Sequence, residues 1–198
     1  MDEAKSRDSS DATIVRGARM DDNEIKISGV YNVQCHDSKG DLLWEDTAPN
    51  WVTFLGRNLL MDTGLRTPAT SVAGFIGLIS SVTWSAAATA DTMSSHAGWN
   101  EVAATTTYYP VITRREQATF GATAVSGAVT SSAATFAITG TTGQAGTIMG
   151  CFLVTGTNAS SAMTSTAGIL YSAGTFTGGS KSVGNGDSIS VTYTSTLS

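Results

Sequence analysis

From Glu24 the chain alternates. Ile25, Ile27, Tyr31, Val33 and Cys35 share one parity, while Glu24, Lys26, Ser28, Asn32, Gln34 and His36 share the other. A period of two predicts a strand with one face covered. Asp37-Ser38-Lys39-Gly40-Asp41 predicts a turn, in which Gly40 supplies the backbone freedom, and Leu42-Leu43-Trp44-Glu45 predicts the return strand of a hairpin. The period then changes. Pro49 and Asn50 predict a helix start, Trp51, Leu55 and Leu59 make an apolar stripe at helical spacing, and Gly64 predicts the stop. The pattern thus places one short helix near residues 50–62.

Phe75, Ile76, Leu78 and Ile79 are apolar on both parities, the signature of a strand covered on both faces, with Gly74 and Gly77 allowing close approach. Residues 85–100 read as a long connection, or as a short helix capped at Asp91 and stopped at Gly98. Further strands are predicted at 107–113, 117–123, 133–139, 147–155, 168–173 and 188–194, at the short regular spacing of an all-β fold. Residues 147–155 read as a central strand, whereas Ile189, Val191 and Tyr193 alternate with Ser and Thr and predict one wet face. Gly178-Gly179 and Asn185-Gly186-Asp187 are turn signals. The expected architecture is mainly β: an antiparallel β-sandwich, jelly-roll or Ig-like, over residues 24–198. Residues 1–23 follow neither period and mix both charge signs, which predicts an extended arm that orders only against a partner.

Composition narrows the function. Charged residues make up 14% of the chain against roughly 25% in typical soluble domains, and none occurs from Gln117 to Ser180. Uncharged Ser, Thr, Ala and Gly surface can approach another backbone without desolvating charge, so this span favours permanent contact over catalysis. The net charge of −5 provides no basic field for nucleic acid. No segment reads as a membrane span or as an export signal. Cys35 and Cys151 lack any CxxC or Cys/His clustering and are expected to be buried free thiols.

Candidate chemistry is sparse. Ser94, His96 and Asp91 can be written as a triad, but no GxSxG elbow surrounds any serine. Glu45, Asp46, Asp91, Glu101 and Glu116 are the acids from which a glycosidase pair could be drawn, with Glu45 and Asp46 more simply a solvated hairpin edge. Asn185, Asp187 and Asp91 could ligate calcium, yet the regular loop spacing is missing and a turn explains the first two better. Trp44, Trp51, Trp84 and Trp99, with Tyr108 and Tyr109, could form a carbohydrate platform, or else core and interface. The expectation is a protein that is not an enzyme, with no catalytic, cofactor-binding or metal-ligating residue assigned and no cofactor.

The runs Asn50-Trp51-Val52-Thr53-Phe54-Leu55-Gly56-Arg57-Asn58-Leu59-Leu60-Met61-Asp62, Phe75-Ile76-Gly77-Leu78-Ile79 and Asp91-Thr92-Met93-Ser94-Ser95-His96-Ala97-Gly98-Trp99-Asn100-Glu101 are similar to small virion proteins of tailed bacteriophages. The segment from Leu170 to Asp187 resembles the same group. The resemblance covers the chain from about Asp41 onward. It implies a capsid decoration or cement protein on the outer surface of the head, contacting the major capsid protein, copies of itself or both. The alternative it implies is a tail or head-fibre component that binds host glycans. It carries no catalytic motif.

Overall fold

In a computed structural model, which describes residues 26–65, 73–80, 87–102, 112–120, 127–140 and 145–198, the strands are β1 (Ile27–His36), β2 (Leu42–Val52), β3 (Gly74–Ser80), β4 (Asn100–Glu101), β5 (Glu116–Ala118), β6 (Ala128–Thr130), β7 (Ala134–Ala137), β8 (Ala145–Thr155), β9 (Ile169–Thr175), β10 (Lys181–Gly184) and β11 (Ser188–Leu197). The helix among the described residues is α1 (Phe54–Leu65). The predicted arm, residues 1–23, lies outside the described residues, as does most of the strand predicted at 107–113. The fold is mainly β and antiparallel, as the alternation and spacing imply.

Alternation fixes the first hairpin. Tyr31, Val33 and Cys35 are buried while Asn32 and Gln34 face water. Asp37 organises the turn: its carboxylate accepts from the backbone N–H of Lys39 at 2.8 Å and of Asp41 at 2.9 Å, and Gly40 has a φ of +91°. β11 pairs with β1 from Ile27↔Leu197 to His36↔Ser188, burying Ile189, Val191 and Tyr193. On the other edge of β1, β2 pairs from His36↔Leu42 to Val30↔Pro49.

β2 then changes partner. Asn50, Trp51 and Val52 pair with Gly174, Ala173 and Ser172 of β9. Through this switch the ladder is continuous in the order β4-β3-β8-β9-β2-β1-β11-β6, with β5 also on β3, β7 also on β11 and β10 also on β8. Strand pairing therefore gives one large antiparallel sheet and does not divide it into two unconnected sandwich layers. Its inner faces meet in a core containing Tyr31, Val33 and Val191 from one side and Ile76, Leu78 and Cys151 from the other. A second cluster, Ile79, Trp99, Phe152, Val154 and Leu170, uses the opposite faces of the same central strands. This double coverage is why residues 75–79 and 148–154 are apolar at both parities. Gly77 is required there because the Phe152 ring occupies the space of a Cβ.

The helix is displaced from the expected residues. Pro49 and Asn50 do not start it; they lie in β2, as do Trp51 and Val52. Pairing of 50–52 with β9 outweighs the local helix signal, and α1 begins only after Thr53, whose hydroxyl caps it by accepting from the N–H of Gly56 at 3.0 Å. The same hydroxyl donates to the carbonyl of Leu170. Gly64 lies in the last turn of α1, one residue before its end at Leu65. Asp91–Gly98 forms turns and an isolated Thr92↔Ser95 bridge, so the connection reading holds and the capped-helix reading does not.

The irregular segments are tied by one buried ion pair. Arg115 donates to Glu101 at 2.8 and 2.7 Å, and to the carbonyls of Ser160 and Ser165 at 3.2 and 2.9 Å. Its guanidinium lies over the Phe152 ring, and Glu101 also accepts from the N–H of Thr164. Both side chains are almost fully removed from water. Removing one partner of such a pair strands the other, at a cost of about 3–5 kcal/mol. Arg115→Ala should lower unfolding stability by about that much, read from urea midpoints at constant m. Arg114→Ala, which removes the exposed contact to Glu116, should change stability by less than about 1 kcal/mol.

Candidate interaction surfaces

The candidate catalytic groups do not assemble. Asp91 accepts from the indole N–H of Trp99 at 3.0 Å and from the N–H of Ala88 at 2.9 Å. His96 stacks on Trp99 at 4.0 Å between ring centroids, and its Nδ1 lies 2.9 Å from the Trp99 carbonyl, to which it donates. Ser94 bonds to the Thr92 hydroxyl. Asp91 and His96 clamp the buried Trp99 in place, and Asp91, His96 and Ser94 make no hydrogen-bonded relay with one another. Among the acids, Glu101 is held by Arg115, Glu116 by Arg114 and Asp46 by Lys181, while Glu45 accepts from Gln34 at 3.3 Å. Asn185 and Asp187 serve turns, accepting from the N–H groups of Gly140 and Gly184. Among the described residues no cluster of His, Cys, Asp and Glu could hold a metal ion, and no helix is long and apolar enough to cross a membrane.

Asp46 departs from the solvated hairpin edge expected of it. Its carboxylate is only 6% exposed and ties the β9–β10 connection to β2: Lys181 Nζ lies at 2.8 Å, the Thr177 hydroxyl at 2.6 Å and the Gly178 N–H at 3.0 Å. Nothing local marks this partnership, because Asp46 and Lys181 lie far apart in the chain. Burial pushes the carboxyl up, but Lys181, Thr177 and the backbone N–H groups outweigh it and hold it at about 2 instead of 3.8.

The tryptophans do not form a shared platform among the described residues. Trp99 is fully buried, and Trp44 packs on Phe176 and donates to the Ser182 carbonyl at 3.0 Å. Trp51 is 61% exposed. Trp84, Tyr108 and Tyr109 lie outside the described residues.

Among the described residues, besides Phe120 and Leu197, the exposed large apolar side chains gather in two places. One is the hairpin tip, where Leu42 and Leu43 are each half exposed. The other is α1 with its approach: Trp51, Phe54, Met61 and Leu65 are each more than half exposed, and Leu55 and Leu60 about two-fifths exposed. Because β1 and β2 are long strands, these surfaces are held at their opposite ends. Only Gly56 of α1 is buried, its Cα set so closely on Tyr171 that a Cβ would fall 2.5 Å from the Tyr171 carbonyl oxygen. Between α1 and the sheet runs an apolar groove of about 240 Å³ lined by Leu59, Leu60, Phe120, Leu153, Tyr171 and Tyr193.

Tyrosine hydroxyls under this groove are fixed by neighbours. Tyr31 meets Ser172 at 2.5 Å, Asn50 donates to Tyr193 at 2.8 Å, and Tyr171 meets Ser195 at 3.2 Å. Burial raises all three phenols, Tyr171 to about 12, so each stays neutral. They rigidify the floor and are not poised for acid–base work. Sequence reading assigned them no such role, since nothing in their spacing shows that three strands bring them together.

Compared with known proteins, the chain matches no family model, no curated protein and no solved structure.

Two measurements check these assignments. Because the Asp46 carboxyl is depressed on folding, its contribution is complete above pH about 3.8 and is lost as pH falls through about 2. The stability of the wild type, from urea midpoints, should fall across that window, and Asp46→Asn should flatten the fall. Cys35 and Cys151 are free and buried, and burial pushes both thiols up, Cys35 to about 12. Neither should react with a disulfide reagent in the native protein at neutral pH, and both should react once guanidinium unfolds it.

Proposed function

We propose that this protein is a structural component of a tailed-phage virion, serving as a decoration or cement protein that braces the head through contacts with the major capsid protein. The observation that carries this reading is the pair of exposed apolar surfaces, the Leu42–Leu43 tip and the Trp51–α1 face, on a body whose described candidate acids are already engaged. Apolar side chains gathered at a surface are characteristic of contact sites. A protein that locks neighbouring subunits needs at least two such sites, separated and rigidly spaced. The uncharged span from Gln117 to Ser180 supports the same reading, since neutral surface is buried without desolvating charge. The acidic balance suits a place outside a DNA-filled lumen.

The fibre alternative rests on aromatic recognition of glycans, and the burial of Trp99 and the internal bond of Trp44 take two of its rings away. The hydrolase reading has no assembled acid pair or triad behind it among the described residues.

The decisive comparison is between particles with and without the protein. Particles lacking it should lose genome at lower temperature or under milder osmotic shock, and adding the purified chain should restore resistance. A Leu42→Asp/Leu43→Asp variant should fold normally but restore less. Particles equally robust without the protein, yet slower to adsorb to cells, would overturn the cement reading in favour of the fibre.

A further inference from the structure

The outward face of α1 carries a second pattern that the sheet does not use. At 3.6 residues per turn, Gly56 and Thr63 point toward the body, flanked by Leu59 and Leu60 over the groove. The opposite side presents Phe54, Asn58, Met61 and Leu65, all exposed. Their spacing of four, three and four is that of the seam of a two-stranded coiled coil, with Phe54 and Met61 at one core position and Asn58 and Leu65 at the other. Arg57 and Asp62, also exposed, flank this seam on opposite sides. They are five residues apart, the separation at which flanking charges of two parallel, in-register helices meet.

We propose that α1 docks in parallel, about a two-fold axis, against α1 of a second copy of this chain. Phe54, Met61 and Leu65 then pack on their own counterparts. Arg57 of each copy faces Asp62 of the other, once on each side. Asp62 also takes part in an interaction within its own chain, and a carboxylate accepts several hydrogen bonds at once. Asn58 meets its counterpart at a core position, where a polar residue fixes register.

Two arguments favour a second copy over an unrelated partner. The first is charge: the seam carries one cation and one anion, placed so that the parallel two-fold pairs them and leaves none opposed. The second is area. Phe54, Met61 and Leu65 expose on the order of 400 Å² of mostly apolar surface per copy, so a dimer seam buries about 800 Å², the scale of a weak, transient contact between copies. The association is expected to be weak, which suffices where copies are held close together on a particle. The proposal rests on the assembly role above in naming the partner of α1. It leaves the hairpin tip for the capsid.

Sedimentation velocity of the full chain over a range from about 1 to 200 µM tests it. A concentration-dependent dimer is expected, and Met61→Glu should weaken it at least tenfold, with an unchanged thermal transition at concentrations where both proteins are monomeric, because that side chain is already in water. Arg57→Asp and Asp62→Arg should each weaken association, and an equimolar mixture of these two variants should restore it, because each mixed pair carries two opposite-charge contacts. A wild type that stays monomeric, a trimer, a dimer indifferent to Met61→Glu, or a mixture no tighter than its components would overturn the proposal. Particle binding is measured separately. A chain that dimerises through α1 but binds no particle sinks the virion reading alone, and a monomer that binds particles sinks the dimer alone.

Discussion

The change of partner along β2 is the constraint on which the rest of the molecule hangs. Up to Pro49 this strand belongs to β1, and from Asn50 it belongs to β9. The crossing is crowded: Gly174 has the Pro49 carbonyl where a Cβ would stand, and Gly150 has the Gly174 carbonyl in the same place. Side chains at either glycine would force the strands apart. Because they can close, Tyr31 of β1 reaches Ser172 of β9, and Tyr171 of β9 reaches Ser195 of β11. The inner faces of the sheet are thereby locked by hydroxyl pairs as well as by apolar contact. Thr53, one residue beyond the crossing, converts the end of the strand into the start of the helix.

Local pattern revealed what local pattern determines. The parity of Tyr31, Val33 and Cys35 gave the buried face of β1, and the two-faced run at 75–79 gave a strand covered on both faces, because each side chain's fate there depends only on which way the pleat points. The helix was misplaced because Asn50 and Trp51 carry signals that are true of helix starts in general, yet a partner more than a hundred residues away claimed them for a strand. β6 and β10 went unread for a similar reason. Ala128–Thr130 and Lys181–Gly184 are too short to show a period and exist because β11 and β8 offer them edges. The Arg115–Glu101 pair was equally hidden, since the chain between two residues that meet in space says nothing about their meeting.

The candidate chemistry failed in an instructive way. Asp91, His96 and Ser94 are close in sequence, and the structure keeps them close, but their hydrogen-bonding capacity is spent on Trp99, Ala88 and Thr92. Asp46 shows the converse, being a surface acid by pattern and a structural tie in fact. In both cases polar groups serve to hold loops against a neutral body. Asp46, Asp91 and Glu101 are thus spent on holding the fold, which leaves shape, apolar surface and a few exposed charges with which to meet others.

Gly56 carries a consequence for how such a molecule can change over time. Because that residue sits directly on the Tyr171 backbone, α1 cannot roll about its own axis, and the direction in which its outer side chains point is set by the body. The inward residues answer to the fold, and the outward ones only to whatever they touch. Substitutions along the outer seam can therefore retune or abolish association while the sheet beneath stays intact. One short helix thus separates the requirements of folding from those of assembly, and the two can diverge independently among relatives.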